Sequence, residues 1–220
     1  MERRLTREES RARTRSLLRK SAASCFAQSG FEGASVDQIA EGAGFSRGAF
    51  YSNYPDKEAI FLDLLKWHLD RDIEGFAQIS ADSGTLDELA SSIAASYREL
   101  GSNPDYCLLA SEFQLYASRT GKGDQAFAET FSTYRERLTA LLEQAFSTFD
   151  FQGDMTPAEL ARTLIGLHHG LALERAASAG SLSHEVTGRA VRALLFGAAA
   201  PRLAEREPVE RKSGARRSRQ

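Results

Sequence analysis

Start and stop signals for helices recur at short intervals, and this pattern constrains the fold more than any other feature of the sequence. Thr156 begins a TPAE segment that combines an N-cap residue, a proline at the first helical position and a capping-box glutamate. Thr85 begins a second capping box, TLDE, and Pro104 opens another helix. The alternation of apolar and polar residues that marks strands is nearly absent. These signals predict nine helices and an all-α fold.

Proline and capping residues divide the predicted helices into an N-terminal group of three and a C-terminal group of six. Pro55 ends the first group, and Asp56 caps the long helix that follows. We therefore expect a three-helix domain over residues 1–55 and a larger helical domain over residues 56–200. The predicted helices cover approximately residues 6–28, 35–43, 46–53, 56–79, 85–100, 104–119, 127–145, 156–171 and 183–200.

Charge is unevenly distributed along the chain. Residues 1–20 hold eight Lys and Arg against three Glu, and residues 201–220 hold seven against three. Because the whole chain has a formal net charge of −2, the residues between these ends are strongly acidic. A basic segment at each end of an acidic body suggests contact with a polyanion. Few apolar side chains occur after residue 200, and we expect a disordered basic tail at 201–220.

Several function classes are not expected. Cys25 and Cys107 lack metal-ligand spacing and predict buried thiols in a reducing cytoplasm. No apolar run approaches the roughly 18 residues of a membrane span. His168 and His169 diverge by about 100° on a helix, and neither a Glu-x-x-His pair nor a phosphate loop nor a nucleophile elbow occurs. We therefore expect no metal, no cofactor and no enzyme activity.

Two short predicted helices meet at Gly44, and Ser46 can cap the second of them. This spacing is typical of a helix-turn-helix, whose second helix presents its N-terminal residues to base edges in the major groove of DNA. Arg47 offers a bidentate fork for guanine, and the small Gly48 and Ala49 allow close approach. From spacing alone, a folded corner of a helical bundle stays an open alternative.

Polar residues around this segment suit contacts with phosphate groups. Tyr51 follows Arg47 by one helical turn, and Lys57 lies in the first turn of the next helix. Ser35 and the amides near it begin the first short helix, where a phosphate can bind. The apolar residues between them predict the small core that fixes the two helices: Ile39, Ala40, Phe45, Phe50 and Tyr54.

The run SVDQIAEGAGFSRGAFYSNYPDKEAIF, residues 35–61, resembles the DNA-binding signature of TetR/AcrR-type bacterial repressors, and residues 30–33 also fit. Phe45 stands where valine is usual, Tyr54 where phenylalanine is usual, and Asn53 where histidine or tyrosine is frequent. The resemblance implies a tetracycline-repressor-like fold, in which three N-terminal helices bind DNA and six form a ligand-binding and dimerisation domain. It also implies a homodimer on a palindromic operator. The abundance of apolar and aromatic residues in the middle helices suggests that a small, hydrophobic effector releases it.

The resemblance assigns DNA contacts by position. Arg47, Gly48 and Ala49 would contact bases. Phosphate contacts are expected from Ser35, Ser46, Tyr51, Asn53 and Lys57. Arg3, Arg4 and Arg7 precede or begin the first helix and are expected at the flanking backbone or minor groove.

The residue types of the last two helices indicate a dimer interface, and the resemblance implies an effector pocket among the middle helices. Small residues in the last two helices permit close approach, so the interface is expected at Leu164, Leu167, Leu171, Ala190, Leu194 and Gly197. The pocket is expected among Trp67, His68, Glu112, Phe113, Gln114, Tyr116, Phe127, Phe131, Tyr134 and His168. Intrachain packing is the alternative for both groups. A thiol-based redox regulator and a DNA-binding activator without a ligand stay open as alternative functions.

Overall fold

The computed structural model describes residues 6–101, 104–120, 125–150, 154–178 and 181–199. The predicted tail at 201–220 lies outside these ranges. Within them all regular structure is helical, and none of the helices has the length and apolar composition needed to cross a bilayer. The described helices are α1 (Arg7–Gly33), α2 (Val36–Gly42), α3 (Arg47–Tyr51), α4 (Lys57–Asp82), α5 (Leu86–Gly101), α6 (Pro104–Thr120), α7 (Gln125–Thr148), α8 (Pro157–Ala177) and α9 (His184–Ala199).

Side-chain caps fix where several helices begin. At α8 the N–H of Glu159 donates to Thr156 Oγ1 at 3.3 Å, and the Glu159 carboxylate accepts from the Thr156 N–H at 2.8 Å, which confirms the predicted capping box. At α5 the predicted box is only half formed. The N–H of Glu88 donates to Thr85 Oγ1, but its carboxylate accepts from the Gly84 N–H at 2.8 Å instead.

Helix α1 breaks at Gly30 and continues to Gly33, whereas the sequence predicts its end near residue 28. Gly30 has φ 69° and ψ 173°, a backbone conformation that essentially only glycine adopts. Directly after the break, the N–H of Phe31 donates to Glu112 Oε2 of α6 at 3.0 Å. The end of α1 is therefore fastened to a helix of the C-terminal body.

The first hydrophobic core joins the N-terminal helices to the body. Phe61 of α4 lies at its centre, with its ring centroid 4.7 Å from that of Phe26, 4.6 Å from that of Phe113 and 5.7 Å from that of Phe127. These partners belong to α1, α6 and α7. Phe50 of α3 is buried in the same core. The buried side chains are thus continuous across the predicted domain boundary at residue 55.

The second core lies toward the other end of α4, among α4, α5, α7, α8 and α9. Ile73, Leu142, Leu160 and Val191 are among its buried members. Helices α5 and α9 approach closely, since a Cβ added at Gly188 would lie 2.9 Å from the carbonyl oxygen of Ala94. Helix α4 contributes to both cores and therefore connects the N-terminal helices with the far end of the body.

Candidate DNA-binding site

Helices α2 and α3 are joined by a tight turn at Gly44. Gly44 has φ 77°, in the left-handed region that favours glycine, and its N–H donates to the Glu41 carbonyl at 2.9 Å. The N–H of Ala49 then donates to Ser46 Oγ at 3.2 Å, so Ser46 caps α3 as predicted. Helix α3 ends at Tyr51, two residues earlier than the sequence predicts.

The predicted small core beneath the turn is confirmed. Ile39, Ala40, Phe50 and Tyr54 are all buried, and Phe45 is half-buried against the same core. The two helices consequently hold a fixed relation to each other and to α1 and α4.

The outward face of α3 is open to solvent. Ser46, Arg47, Gly48 and Tyr51 are exposed, and Ala49 is half-buried. A Cβ added at Gly48 would meet only Ser46 Oγ, at 3.8 Å, among neighbours within 4 Å. The residues predicted to contact bases therefore lie together on one accessible surface.

Arg47 is held by contacts on two sides. Its Nη1 donates to Asp37 Oδ2 of α2 at 3.0 Å, while its Nη2 lies 3.4 Å from Tyr51 Oη. Its guanidinium carbon is 5.6 Å from the centroid of the Tyr51 ring. The Tyr51 hydroxyl and the charge of Asp37 raise the pKa of Arg47 above its usual value. Asp37 was not among the predicted site residues, because it lies on another helix and no local pattern links it to Arg47.

Two predicted phosphate contacts are engaged in helix caps or backbone bonds. Ser35 is exposed, and its Oγ accepts from the Gln38 N–H at 3.2 Å as the cap of α2. Asn53 is half-buried, and its Nδ2 donates to the Ala49 carbonyl at 2.8 Å. Its Oδ1 is buried without a hydrogen-bond partner. The Asn53 amide therefore faces the protein.

Lys57 lies under the end of α1. Its Nζ donates to the carbonyl oxygens of Phe31 at 2.6 Å and Ala34 at 3.0 Å, with that of Glu32 at 3.4 Å. It is also 4.4 Å from the centroid of the Phe31 ring. A phosphate would have to compete with these carbonyls for the ammonium. Arg7 is exposed in the first turn of α1, and Arg3 and Arg4 lie outside the described residues.

A charged cluster at Asp63 ties α1, α4 and the end of the helix-turn-helix together, and sequence reasoning missed it. The hydroxyl of Tyr54 donates to Asp63 Oδ2 at 2.6 Å, and Asp63 forms ion pairs with Arg15 at 3.2 Å and Arg19 at 3.5 Å. Burial and then the bond to Asp63 raise the pKa of Tyr54. The partners are far apart in sequence, so no spacing rule brings them together.

The residues predicted to line an effector pocket are divided among different environments. Trp67 is 37% exposed, and its ring centroid lies 4.8 Å from the Arg71 guanidinium. Trp67 therefore lies at the surface of α4 beside a cation. Glu112 holds the backbone of Phe31 as described above. The side chain of Gln114 lies outside the described residues.

The other predicted pocket residues belong to the two cores. Phe113, Tyr116 and Phe127 are buried in the first core, and Phe131 packs against it. His68 lies 6.4 Å from Phe113 between ring centroids. Tyr134 packs against the second core, and the ring of His168 lies 5.3 Å from that of Tyr97. One further void, about 10 Å³ or roughly one water-sized sphere, is lined by Leu86, Leu89, Ala90, Ile93, Leu142, Ala145, Phe146 and Leu195.

The predicted dimer residues lie on α8 and α9. Leu164 has no exposed surface within the single chain and packs in the second core, so its assignment to an interface is wrong. Leu173 of α8 is 49% exposed and was not predicted. The remaining predicted residues keep exposed surface: Leu167, Leu171, Ala190, Leu194 and Gly197.

Two short helices joined at a left-handed glycine, with an open face on the second, define a DNA-binding protein of the helix-turn-helix class. Residues 18–64 match the model of bacterial regulatory proteins of the tetR family. The transcriptional repressor AcnR of Corynebacterium diphtheriae is 36% identical over 70 residues, which are 32% of this chain and 35% of AcnR. The chain thus spans about a third of the length of this curated relative.

Solved structures with the same all-α fold cover far more of the chain. A TetR-family transcriptional regulator from Rhodococcus sp. has a TM-score of 0.72 at 19% identity, over 86% of this chain and all of the other. FadR from Bacillus subtilis, solved in complex with stearoyl-CoA, has a TM-score of 0.68 at 16% identity, over 83% of this chain and 98% of FadR. The fold is therefore tetracycline-repressor-like throughout the body as well.

Proposed function

We propose that this protein is a transcriptional repressor that binds a palindromic operator as a homodimer and releases it when a small apolar effector binds the body. The observation that carries the proposal is the exposed face of α3. Arg47 and Gly48 are open to solvent on this face, while Phe50 of the same helix is buried in the first core. The curated relative AcnR is named as a transcriptional repressor, which agrees with a role without catalysis.

Base contacts in this proposal come from the first turn of α3. A major groove admits an α-helix, and Arg47 presents a planar fork that suits the O6 and N7 atoms of guanine. Gly48 adds no side chain, so the backbone can approach the base edges. Ala49 offers a methyl group suited to contact with thymine.

Phosphate contacts would flank this reading surface. Tyr51 and Ser46 are exposed beside Arg47, and Arg7 is exposed at the start of α1. Tyr51 and Arg7 do not cap a described helix, so they can donate to phosphate oxygens directly. Ser46 caps α3 as an acceptor, and its hydroxyl can still donate to a phosphate oxygen. The basic residues among the first twenty positions would also attract the phosphate backbone of the DNA.

A dimer through α8 and α9 would supply the second reading surface. A Cβ added at Gly166, Gly170 or Gly197 would meet nothing within 4 Å, so these helices have open, smooth surface. Leu173 adds an exposed apolar side chain on the same helix as two of these glycines. A twofold axis there would repeat α3 at about 34–36 Å, the distance between successive major-groove faces of DNA.

Effector release would act through α4, which contributes to both cores. A ligand that binds more tightly to the dimer state with a different spacing of the α3 helices shifts the population away from DNA. The apolar and aromatic side chains of the body favour an apolar effector. The fold neighbour FadR was solved with stearoyl-CoA, whose acyl chain is apolar, and this agrees with an effector that has an apolar part.

Selection of duplexes from a random-sequence library by the full chain tests the proposal. We expect an enriched inverted repeat whose half-sites lie about one helical turn apart, with binding that weakens steeply as salt rises. Enrichment of no sequence, or of a single asymmetric site bound by one chain, would contradict the proposed dimeric repressor.

A further inference from the structure

We propose that Asp37 is a specificity-determining residue, which orients Arg47 for base reading and disfavours DNA that Arg47 does not match. This inference rests on the function proposed above and adds a residue outside the DNA contacts assigned there. Asp37 lies at the second position of α2. Its Oδ2 accepts from Arg47 Nη1 at 3.0 Å and so links the two helices of the reading unit.

The contact lies on the side of the protein that faces solvent. The side chains of Arg47 and Asp37 are 61% and 62% exposed, so the pair is accessible to a duplex that approaches α3. Tyr51 approaches the other terminal nitrogen of the guanidinium at 3.4 Å. Because a guanidinium has more N–H donors than these contacts use, donors remain for the O6 and N7 of guanine.

The contribution of this pair to binding comes from orientation. An exposed ion pair adds little to folding stability, so a purely structural role for Asp37 would be weak. A long arginine side chain that is already oriented loses less rotamer freedom when it binds a base. Asp37 and Tyr51 restrict the guanidinium from two sides. A guanine at the one position that this orientation reaches is therefore bound better than a guanine elsewhere in the groove.

The charge of Asp37 acts against DNA that does not match. A carboxylate on this face repels nearby phosphate groups, and it neutralises part of the charge of Arg47. At a matching site, the base contacts of Arg47 offset that repulsion. At other sites nothing offsets it, and a repulsive element of this kind widens the difference between the two affinities.

The test compares Asp37→Ala, Asp37→Asn and Glu41→Gln in the full chain. Glu41 is an exposed carboxylate one turn further along α2, whereas the described contacts of Arg47 are with Asp37 and Tyr51. The probes are a fluorescent duplex enriched by the wild-type chain from the random library and a scrambled duplex of equal length and composition. Fluorescence anisotropy at fixed salt gives the ratio of the two dissociation constants.

We expect Asp37→Ala to lower this ratio by about 10-fold, through weaker binding to the selected duplex and tighter binding to the scrambled one. Asp37→Asn should give an intermediate ratio, because its amide oxygen still accepts from Arg47 while the charge that disfavours the scrambled duplex is removed. Glu41→Gln should strengthen binding to both duplexes alike. Equal ratios for Asp37→Ala and Glu41→Gln would overturn the inference.

Failure of the proposed function gives a different result. In that case the wild-type chain enriches no sequence. The ratio of dissociation constants for any two duplexes is then close to one, both for the wild type and for the variants at position 37. A wild-type chain that selects DNA, together with an Asp37→Ala chain that selects equally well, would overturn only the role of Asp37.

Discussion

The ammonium of Lys57 donates to the carbonyl oxygen of Phe31 at 2.6 Å and thereby ties the start of α4 to the end of α1. The same group reaches the Ala34 carbonyl at 3.0 Å, directly before α2 begins. On the other side of this segment, Glu112 of α6 accepts the Phe31 N–H. The junction between α1 and α2 is therefore held from both sides by charged side chains.

Replacement of Lys57 by methionine should destabilise the fold. The change removes charge-assisted hydrogen bonds to partly buried carbonyls, and we expect a loss of about 1.5–3 kcal/mol in the free energy of unfolding, measured with urea. Lys66→Met, on an exposed face of the same helix, should change it by less than about 0.5 kcal/mol. Unchanged stability together with uniformly weaker DNA binding would return Lys57 to its predicted phosphate contact.

Substitutions at Arg47 should separate the contribution of its charge to DNA affinity from the contribution of its planar fork to base selection. Arg47→Ala should cost about 1–3 kcal/mol of operator binding and relax selection at one base pair. Arg47→Lys keeps the charge but loses the bidentate fork, so it should keep most binding to unrelated duplexes without restoring the lost selection. Both variants are measured by anisotropy and by repeated selection. Full selectivity in Arg47→Ala would show that Arg47 does not contact a base.

A methyl group at Gly44 should be costly although it has room. Its added Cβ would meet nothing within 4 Å, so the cost comes from φ 77° alone, about 1–2 kcal/mol of unfolding free energy. Gly75→Ala in α4 makes the same exchange in open space but in a helix, and should stabilise by about 0.5–1 kcal/mol. Equal effects in urea unfolding would contradict the backbone explanation.

A charge at position 173 should separate the proposed dimer. Leu173→Glu would bury an unpaired carboxylate at the twofold interface, which costs about 3 kcal/mol and raises the dimer dissociation constant about 100-fold. Leu115→Glu changes a similarly exposed leucine on α6 and should leave the sedimentation profile unchanged. If both variants sediment as the wild type, the interface lies elsewhere.

One buried and two half-buried histidines should make the fold sensitive to mild acid. Burial lowers the pKa of His68, His168 and His169 to about 4, below their usual 6.5. The unfolded chain therefore takes up protons first, and stability that is complete above pH 6.5 falls as the pH drops toward 4. The slope is about 1.4 kcal/mol per pH unit for each histidine. His68→Gln should make the urea midpoint depend less steeply on pH between pH 5 and 6.5. An unchanged dependence would show that His68 does not cause the loss of stability in acid.

Features that depend on neighbouring residues were predictable from the sequence. Ser46 caps α3 and Asp56 caps α4 because a cap needs only a side-chain oxygen and an N–H three residues later. The buried positions Ile39 and Phe50 followed from helical periodicity in the same way. The exposed face of α3 is what remains once those positions are buried.

Contacts between distant helices were not predictable, because they depend on crossing angles that local patterns do not specify. The pair of Asp37 and Arg47 joins two helices, and the bond from Phe31 to Glu112 joins residues 81 positions apart. Leu164 illustrates the same difficulty within one helix. Its apolar character suits a dimer interface as well as a core, and only the packing of α8 on its neighbours decides between them.

The aromatic rings around Phe61 limit how freely this chain could exchange parts with its relatives. A chimera joined at residue 55 would separate Phe26 from Phe61, which it packs against, and from Phe113 and Phe127 of the same core. The N-terminal helices of a relative would then pack against core side chains that do not fit them. Substitution of a few exposed residues of α3 should therefore change the proposed DNA specificity with less damage to the fold than replacement of the whole N-terminal domain.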